Sequence, residues 1–381
     1  QFEQRGWQKA KKGESPDLIF FNTCTVTQSA DAKSRKAIRK AARKYPEAFI
    51  AVTGCFAQAQ ADAVAQISGV DAVLGMGEKF NIFKHFSKFE KVSKPTVYKS
   101  NISKLSFDSA FSGDDRTRAF LKVQDGCNYA CTYCIIPQVR GRSRNKPIAE
   151  ILDDMETIAS EGKKEVILTG VNMGDFGQIT GESFFDLLKA IDRQAAVPRV
   201  RLSSVEPNLL SPKIIELTKK SDIFMPHFHI PLQSGSGTIL KQMKRPYTPE
   251  LFARRIQDIK TAMPNAFIGV DVITGFPGET DELFCESLNF LKSLDVSFLH
   301  VFSYSDRPGT KASQFSGMVS SGEIKTRSHR LRELSRRLHS NFYQQNIEQT
   351  GRVLFEWTEK QGKIYGFTEN YIKTEMPYSP E

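Results

Sequence analysis

A chain of 381 residues, 40% hydrophobic and 25% charged, is long enough for more than one domain and excludes a disordered or fibrous protein. Its 53 lysines and arginines outnumber its 43 aspartates and glutamates, which favours a polyanionic partner such as nucleic acid. It has neither an apolar run long enough to cross a bilayer nor a signal peptide at its start, so we expect a cytoplasmic protein with no membrane partner.

The first predicted domain, residues 1–83, has the alternation of strands and helices that indicates an open parallel α/β sheet. Apolar, β-branched runs at 17–24 and 48–55 end at Cys24 and Cys55, and a third run covers 70–75. The basic stretch between the first two runs predicts a helix with Ser29 as its N-cap. The two cysteines end strands at the edge where such sheets gather ligands, although two buried thiols explain them equally well. Residues 84–117 lose the alternation, so we predict a linker there.

The second predicted domain, residues 118–320, repeats the alternation on a larger scale. Six strand-like runs separated by helical stretches favour a complete or partial parallel barrel. Each run ends in polar, glycine or proline residues, at the end where barrel enzymes place their chemistry. A connecting amphipathic helix is predicted over 321–349. Residues 350–381 then alternate like antiparallel strands, with turns at Gln361-Gly362 and near Asn370.

Half of the six cysteines lie in the stretch "DGCNYACTYC", directly after the first barrel strand, with the spacing C-x3-C-x2-C. Such a dense group is hard to explain as core packing. A zinc site needs a fourth ligand, and the nearest histidines in the sequence, His85 and His227, are remote. Thiolates also bind iron–sulfur clusters. With a three-thiolate set, one iron of a 4Fe–4S cluster stays open for a substrate or cofactor. The residues alone leave both metals open.

This motif, at the end of the first strand of a predicted βα barrel, resembles the signature of the radical S-adenosylmethionine (SAM) superfamily. The stretches "FNTCTVT", "VTGCFAQ", "LTGVNMGDFG", "RLSSVEPNLL", "HIPLQSGSGTILKQMKRPYT" and "DVITGFPGET" resemble its methylthiotransferase branch. The resemblance implies three parts in chain order: an N-terminal methylthiotransferase domain, a radical SAM partial (β/α)6 barrel and a short C-terminal all-β RNA-binding segment called TRAM.

The resemblance also implies cofactors and their ligands. Cys127, Cys131 and Cys134 would hold a 4Fe–4S cluster whose open iron binds SAM, and Cys24 and Cys55 would help to hold an auxiliary 4Fe–4S cluster. Five residues become candidates for the SAM pocket, without their contacts being fixed: Asn172, Gln233, Asp271, Gly275 and Gly278.

Several of these residues also have ordinary structural interpretations. Asn172 and Gln233 each end a predicted strand and could equally cap a helix or close a turn. Glycine in "GFPGET" would let the backbone approach a ligand, but a lone glycine turn is weak evidence. We predict structural roles for His227 and His229, and a core or half-buried position for Cys285.

Members of this branch replace a C–H bond by C–SCH3. The motifs look closest to the subgroup that modifies N6-threonylcarbamoyladenosine beside the anticodon of tRNA. We therefore expect one SAM to supply the methyl group and a second to give a 5′-deoxyadenosyl radical. The alternatives are methylthiolation of a ribosomal-protein aspartate and a non-catalytic RNA-binding protein with a structural metal.

The expected partners are tRNA and an electron donor protein. Phosphate contacts are predicted for arginines beside the active site and for basic residues of the tail: Arg140, Arg142, Arg144, Arg352 and Lys360.

Two further expectations concern the ends of the chain. The resemblance implies three cysteines in the first domain, of which Cys24 and Cys55 match the second and third. We therefore expect the first to lie upstream of Gln1, and the chain as given to cleave SAM but not to insert sulfur. Residues 350–381 are too few for a five-stranded TRAM barrel, so we expect that segment to be incomplete.

Overall fold

The computed structural model describes residues 1–11, 13–108, 111–112, 117–356 and 359–379. The predicted linker and tail therefore include positions outside the described residues, namely 109–110, 113–116, 357–358 and 380–381. The chain divides into two compact units. The N-terminal unit comprises Gln1–Ser106, Cys134–Gly141 and Ser305–Gly309, and the barrel unit comprises Phe107–Tyr133, Arg142–Tyr304 and Thr310–Glu381. In the described part of the chain, every helix is too short or too polar to span a bilayer.

The N-terminal unit is built on a parallel sheet in the order β1-β2-β3-β4. Its strands are β1 (Leu18–Thr23), β2 (Phe49–Gly54), β3 (Ala72–Leu74) and β4 (Thr96–Tyr98). Its helices are α1 (Gln28–Lys44), α2 (Cys55–Ala59), α3 (Ala61–Ala65), α4 (Ile82–His85) and α5 (Ile136–Arg140).

Every residue of β2 is buried, because both faces of the sheet are covered. Ile50 and Val52 pack on one face with Ile38 of α1. Phe49 and Ala51 pack on the other face. This alternation follows from the two-residue repeat of a strand and explains why β2 is a continuous apolar run.

Two details of this unit differ from the predictions. The N-cap of α1 is Thr27, whose hydroxyl accepts a hydrogen bond of 3.1 Å from the backbone N–H of Ala30, and Ser29 lies inside the helix. The segment predicted to be a linker contributes β4, which pairs with β3 through Thr96 and Tyr98. With only three residues, β4 is too short for a recognisable alternation.

The barrel unit confirms the predicted six parallel strands. They form two three-stranded sheets, β5-β6-β7 and β8-β9-β10, connected by parallel bridges from Val200 to Phe224 and from Ser204 to His229. The strands are β5 (Arg118–Lys122), β6 (Glu165–Thr169), β7 (Arg199–Leu202), β8 (His227–Gln233), β9 (Phe267–Thr274) and β10 (Phe298–Ser303). The helices that cover them are α6 (Ile148–Ser160), α7 (Phe184–Gln194), α8 (Pro212–Lys220), α9 (Gly237–Gln242), α10 (Pro249–Ala262) and α11 (Asp281–Ser293).

The rest of the barrel unit is the long helix α12 (Ser321–Gln345) and an antiparallel sheet of β11 (Val353–Phe355), β12 (Lys363–Thr368) and β13 (Lys373–Pro377). The predicted turn at Gln361-Gly362 is confirmed, since both residues have positive φ angles of 55° and 74°. The sheet is anchored on the barrel by Arg201, which is buried against Glu165 at 2.9 Å. Arg201 also donates to the backbone oxygens of Thr368 and Glu369 at 2.8 and 2.7 Å.

Candidate active site

The cysteine loop that follows β5 is tied to the end of β6 by the buried side chain of Gln124. Its Nε2 donates to the backbone oxygens of Asp125 and Gly126 at 3.1 and 2.8 Å. Its Oε1 accepts from the backbone N–H groups of Val171 and Asn172, both at 2.9 Å. Because every polar atom of the amide is used, Gln124 fixes the start of the loop beside Asn172.

Nitrogen donors lie against the sulfurs of Cys127 and Cys131. The backbone N–H of Tyr129 donates to Cys127 Sγ at 3.4 Å, and the side-chain amide of Asn172 approaches the same sulfur at 4.0 Å. Arg245 Nη1 donates to Cys131 Sγ at 3.0 Å. Hydrogen bonds to sulfur stabilise a thiolate and tune a bound cluster. Cys134 is half-buried and opens the segment that belongs to the N-terminal unit.

Burial opposes ionisation of these thiols when no metal is bound. It raises the pKa of Cys127 to about 11, and it raises the pKa of Cys131 against the opposing effect of Arg245. A bound metal deprotonates a coordinating thiol, so the two sulfurs are suited to ligation rather than to acting as free nucleophiles.

Arg245 is the centre of a buried polar network that the sequence interpretation missed. Its Nη2 donates to the carboxylate of Glu206, and its Nε donates to the Tyr247 hydroxyl at 2.9 Å. That hydroxyl donates to the backbone oxygen of Pro231 at 2.7 Å. Burial raises the pKa of Glu206, and Arg245 opposes this rise. The only sequence signal was the presence of Arg245 and Glu206 in the quoted stretches "KRPYT" and "SSVEPNLL".

The surroundings of Cys127 fit a polar cofactor. Two buried oxygens there, Asn172 Oδ1 and Asp175 Oδ2, have no hydrogen-bond partner in the described structure. Burial raises the pKa of Asp175. Buried acceptors normally find donors, so this pair suits a ligand with an amino group, as SAM has. The donor set and the unsatisfied oxygens therefore fit a thiolate-bound cluster with SAM beside it.

The other predicted pocket residues have more varied surroundings. Gln233 ends β8 with a φ of 69°, and Asp271 pairs with His229 at 2.6 Å. Gly275 has a φ of 79°, and a Cβ there would lie 2.2 Å from Ile324 of α12. Packing against Ile324 therefore accounts for this glycine without a cofactor. Gly278 has a φ of 84°, and its nearest side chain is that of Gln242. All four stay predictions for the SAM pocket.

His227 and Cys285 lie where the sequence interpretation expects structural residues. Burial lowers the pKa of His227 to about 3, and its ring stacks on Phe267 with centroids 5.4 Å apart. Cys285 is half-buried against the core of the barrel unit.

The cysteines of the N-terminal unit are brought to one sheet edge by strand pairing. The register of β1 and β2 places Thr23 opposite Gly54, so Cys24 and Cys55 are the next residues of two neighbouring parallel strands. Cys24 is exposed and Cys55 is buried. Gly54 has a φ of 98°, and a Cβ there would lie 2.3 Å from the Thr23 carbonyl oxygen. Only glycine permits this close approach without strain.

Two arginines of the N-terminal unit support these cysteines, and neither role is visible in the sequence. Arg140 Nε donates to Cys55 Sγ at 3.2 Å. Arg307 is buried and donates to Asp31 Oδ2 at 2.8 Å and to the Thr25 hydroxyl at 2.5 Å. Arg307 thereby holds the residue that follows Cys24. Because Arg307 and Asp31 are 276 positions apart, no local pattern marks the pair.

The predicted phosphate contacts are partly wrong. Arg144 is buried and its guanidinium pairs with Asp125 at 3.1 Å, so it is not presented to a polyanion. Arg140 is directed at Cys55, and the guanidinium of Arg352 pairs with Glu369 at 2.6 Å. Arg142 is exposed, as is Lys360. Other exposed basic residues lie on α1: Lys33, Lys36, Arg39, Lys40, Arg43 and Lys44.

Comparison with known proteins agrees with this geometry. Residues 121–291 match the radical SAM superfamily, and residues 1–75 match the uncharacterized protein family UPF0004. The threonylcarbamoyladenosine tRNA methylthiotransferase MtaB of Bacillus subtilis is 38% identical over 98% of this chain and 84% of its own length. The protein of the same name from Aquifex aeolicus is 35% identical over 97% of this chain and 90% of its own length.

This chain belongs to the radical SAM methylthiotransferase family. The family makes it an enzyme and implies a 4Fe–4S cluster and SAM. A tRNA-2-methylthio-N(6)-dimethylallyladenosine synthase of Fusobacterium nucleatum is also 34% identical, over 95% of this chain and 85% of its own length. Two different N6 substituents of adenosine thus occur in the names of this methylthiotransferase's relatives.

A solved structure shares the fold of this methylthiotransferase. The radical SAM methyltransferase TsrM from Kitasatospora setae aligns with a TM-score of 0.56 at 17% identity, covering 76% of this chain and 63% of that chain. At that identity the likeness shows the fold alone.

Proposed function

We propose that this methylthiotransferase attaches a methylthio group to C2 of N6-threonylcarbamoyladenosine in tRNA. The observation that carries the proposal is the likeness to several relatives of that name, at 35–38% identity over 97–99% of the chain for the first three. The excess of basic over acidic residues and the exposed Arg142 support a polyanionic substrate.

The cysteines take two roles in this proposal. Cys127, Cys131 and Cys134 hold the 4Fe–4S cluster that binds SAM, and Cys24 and Cys55 are ligands of an auxiliary 4Fe–4S cluster. The bound cofactors supply a 5′-deoxyadenosyl radical and a methylated sulfur. Such a radical is required because an aromatic C–H bond is too weak an acid for ordinary side-chain bases.

The protein's own part is to bind, orient and shield. Arg245 and Asn172 place N–H donors on two of the cysteine sulfurs. Asn172 and Asp175 offer acceptors to the SAM amino group. Gln233, Gly275 and Gly278 complete the proposed pocket. An electron donor protein supplies reducing equivalents, and the site of action is the cytoplasm, where thiols stay reduced.

An assay of the methylthio nucleoside formed in vitro tests this proposal. The protein as its gene encodes it, reconstituted anaerobically with iron and sulfide, is incubated with SAM, a reductant and anticodon stem-loop RNA, and the nucleosides are analysed by mass spectrometry. We expect the methylthio product from RNA that carries threonylcarbamoyladenosine. Product from dimethylallyladenosine RNA or from a ribosomal protein, with none from threonylcarbamoyladenosine RNA, would overturn the proposal. Nucleosides of tRNA from cells without the gene test the same point in vivo.

A further inference from the structure

Three titratable side chains share one face of the barrel sheet: His229 on β8, Asp271 on β9 and His300 on β10. The strand register places His300 directly beside Asp271. One apolar neighbour of each residue packs in the core with the covering helices: Phe228, Val270 and Leu299. Because side chains alternate along a strand, the three polar groups lie on the opposite face, inside the barrel.

These side chains form a polar cluster in which His229 and Asp271 are hydrogen-bonded and the nitrogens of His300 are available to a ligand. His229 Nε2 and Asp271 Oδ1 are 2.6 Å apart, and the Ser204 hydroxyl lies 3.2 Å from His229 Nδ1. One polar atom from each of His229, Asp271 and His300 lies within 4.8 Å of the others. The ring of His300 lies 4.8 Å from that of His229, centroid to centroid and tilted by 39°, and its nitrogens make no hydrogen bond to the described residues. The missing side chain of Gly269 leaves room for this ring.

The cluster faces the same interior as the cysteine loop. Ser204, which contacts His229, and Glu206, which pairs with Arg245, leave the same stretch after β7. Arg245 in turn donates to Cys131. The charge of Asp271 also adds to the raised pKa of Glu206, whose main cause is burial. A substrate that reaches the cysteine loop therefore lies within reach of the cluster.

The chemistry of the cluster suits a polar ligand. Burial, and then the charge of His229, lower the pKa of His300, so its ring is a neutral imidazole with one donor and one acceptor. Asp271 has a second carboxylate oxygen for an N–H or O–H donor. A threonylcarbamoyl group offers N–H, hydroxyl, carbonyl and carboxylate groups, whereas a dimethylallyl group has no polar atom. Covering the cluster with an apolar group would leave its polar atoms unpaired, which is costly.

We propose that His229, Asp271 and His300 bind the N6 substituent of the target adenosine, and that His300 determines the preference for a polar substituent over an apolar one. The inference rests on the proposed function, because it names the part of that site which reads the substrate. It also gives His229 a binding role in place of the purely structural role predicted from the sequence, and it assigns Asp271 to the substrate in place of the predicted SAM pocket.

The experiment compares three variants of the protein as its gene encodes it, loaded with iron–sulfur clusters. His300→Phe keeps the ring size and removes both polar atoms, His300→Asn keeps a donor and an acceptor, and His329→Phe is a matched change at an exposed position of α12. The substrates are anticodon stem-loop RNAs with threonylcarbamoyladenosine or dimethylallyladenosine. The readouts are kcat and KM for the methylthio product, stem-loop affinity by fluorescence anisotropy, and SAM cleavage without RNA.

For His300→Phe we expect kcat/KM on threonylcarbamoyladenosine to fall about 10- to 100-fold relative to dimethylallyladenosine, with SAM cleavage unchanged. His300→Asn should recover most of the preference, and His329→Phe should alter nothing. Equal losses on both RNAs, or an unchanged ratio, would overturn the inference. A zinc measurement gives a second contrary result. If the wild type retains one equivalent of zinc after iron–sulfur loading and His300→Phe loses it, then His229, Asp271 and His300 form a metal site and the inference is wrong.

The wild-type measurement separates this inference from the proposed function. A wild type that acts only on dimethylallyladenosine refutes both. A wild type that prefers threonylcarbamoyladenosine, with His300→Phe showing the same preference, refutes only the role of His300. If His300→Phe does not fold, the affinity of His300→Asn for the two stem-loops decides the matter. Loss of all discrimination in that variant would contradict the inference.

Discussion

The two groups of cysteines in this enzyme are presented in different ways. The barrel cysteines lie within one loop of eight residues, whose start is fixed by Gln124. Cys24 and Cys55 lie 31 positions apart and become neighbours at a sheet edge only because Thr23 pairs with Gly54. The first group depends on local spacing and the second on tertiary structure. A change at the contact between β1 and β2 should therefore affect only the second group.

The most severe test of this comparison removes each group of ligands. Replacing Cys127, Cys131 and Cys134 by alanine should abolish SAM cleavage, because the cluster that binds SAM is lost. Replacing Cys24 and Cys55 by alanine should preserve SAM cleavage and abolish the methylthio product. Chromatography of 5′-deoxyadenosine measures SAM cleavage, mass spectrometry of the RNA nucleosides measures the methylthio product, and iron and sulfide analysis measures cluster content. SAM cleavage by the first variant would refute the assignment of the loop, and methylthio product from the second would refute the auxiliary site.

A glycine substitution should disturb the second group alone. Gly54→Ala should lower the free energy of unfolding by about 3 kcal/mol, since the new Cβ meets the Thr23 carbonyl oxygen and φ is positive. It should also lower the auxiliary iron content. The matched control is Gly162→Ala, which has a φ of 79° but no atom within 4 Å, and should cost about 1 kcal/mol. Urea denaturation and iron analysis provide the data. Equal costs for the two variants would show that the close approach of Gly54 is unimportant.

Arg245 donates to Cys131 and Arg140 donates to Cys55, so each arginine should affect the midpoint potential of one cluster only. Removing an N–H donor from a thiolate should make the bound cluster harder to reduce. Arg245→Met is combined with Glu206→Gln, so that no buried charge stays unpaired. We expect a lower midpoint potential of the barrel cluster and about tenfold slower SAM cleavage.

Arg140→Met is the counterpart in the N-terminal unit, because Arg140 donates to Cys55. It should lower the midpoint potential of the auxiliary cluster only and leave the rate of SAM cleavage unchanged. Potentiometric titration followed by electron paramagnetic resonance distinguishes the two clusters. A shift of both potentials in either variant would argue against separate tuning of the two groups.

The smallest expected effect concerns the affinity for tRNA. Arg142→Gln should reduce the slope of log affinity against log salt by about 0.9, as expected for one lost phosphate contact near the cysteine loop. Lys40→Gln on α1 is the control and should leave the slope unchanged. Filter binding over a range of salt concentrations measures both. A change for Lys40→Gln alone would mean that the tRNA backbone follows α1 instead.

Features set by local sequence could be predicted. Each of the six barrel strands overlaps a predicted strand-like run, because each strand contributes apolar side chains to the core of the barrel unit. The cysteine loop was recognisable because its three cysteines lie within eight positions of the sequence. The turn at Gln361-Gly362 was recognisable because glycine tolerates a positive φ.

Features set by distant contacts could not be predicted. Arg144 lies in a basic run and was predicted to contact phosphate, but in the structure it forms an ion pair with Asp125. The close packing of Ile324 of α12 against Gly275 is not visible in the sequence, and the SAM-pocket role of this glycine stays a prediction. The histidine cluster needs three strands to be brought side by side. In each case the deciding partner lies 19 or more positions away, beyond any periodic pattern.

The discontinuous make-up of the N-terminal unit has a consequence for biosynthesis. Its last stretch, Ser305–Gly309, leaves the ribosome only after the barrel strands. Arg307 follows Asp31 by 276 residues, so at about 5–20 residues per second their ion pair must wait roughly 14–55 s. During that interval the nascent chain carries Asp31 without its buried partner. The N-terminal unit therefore cannot be completed in the order in which it is translated, and Cys24 would gain its final surroundings among the last parts of the protein.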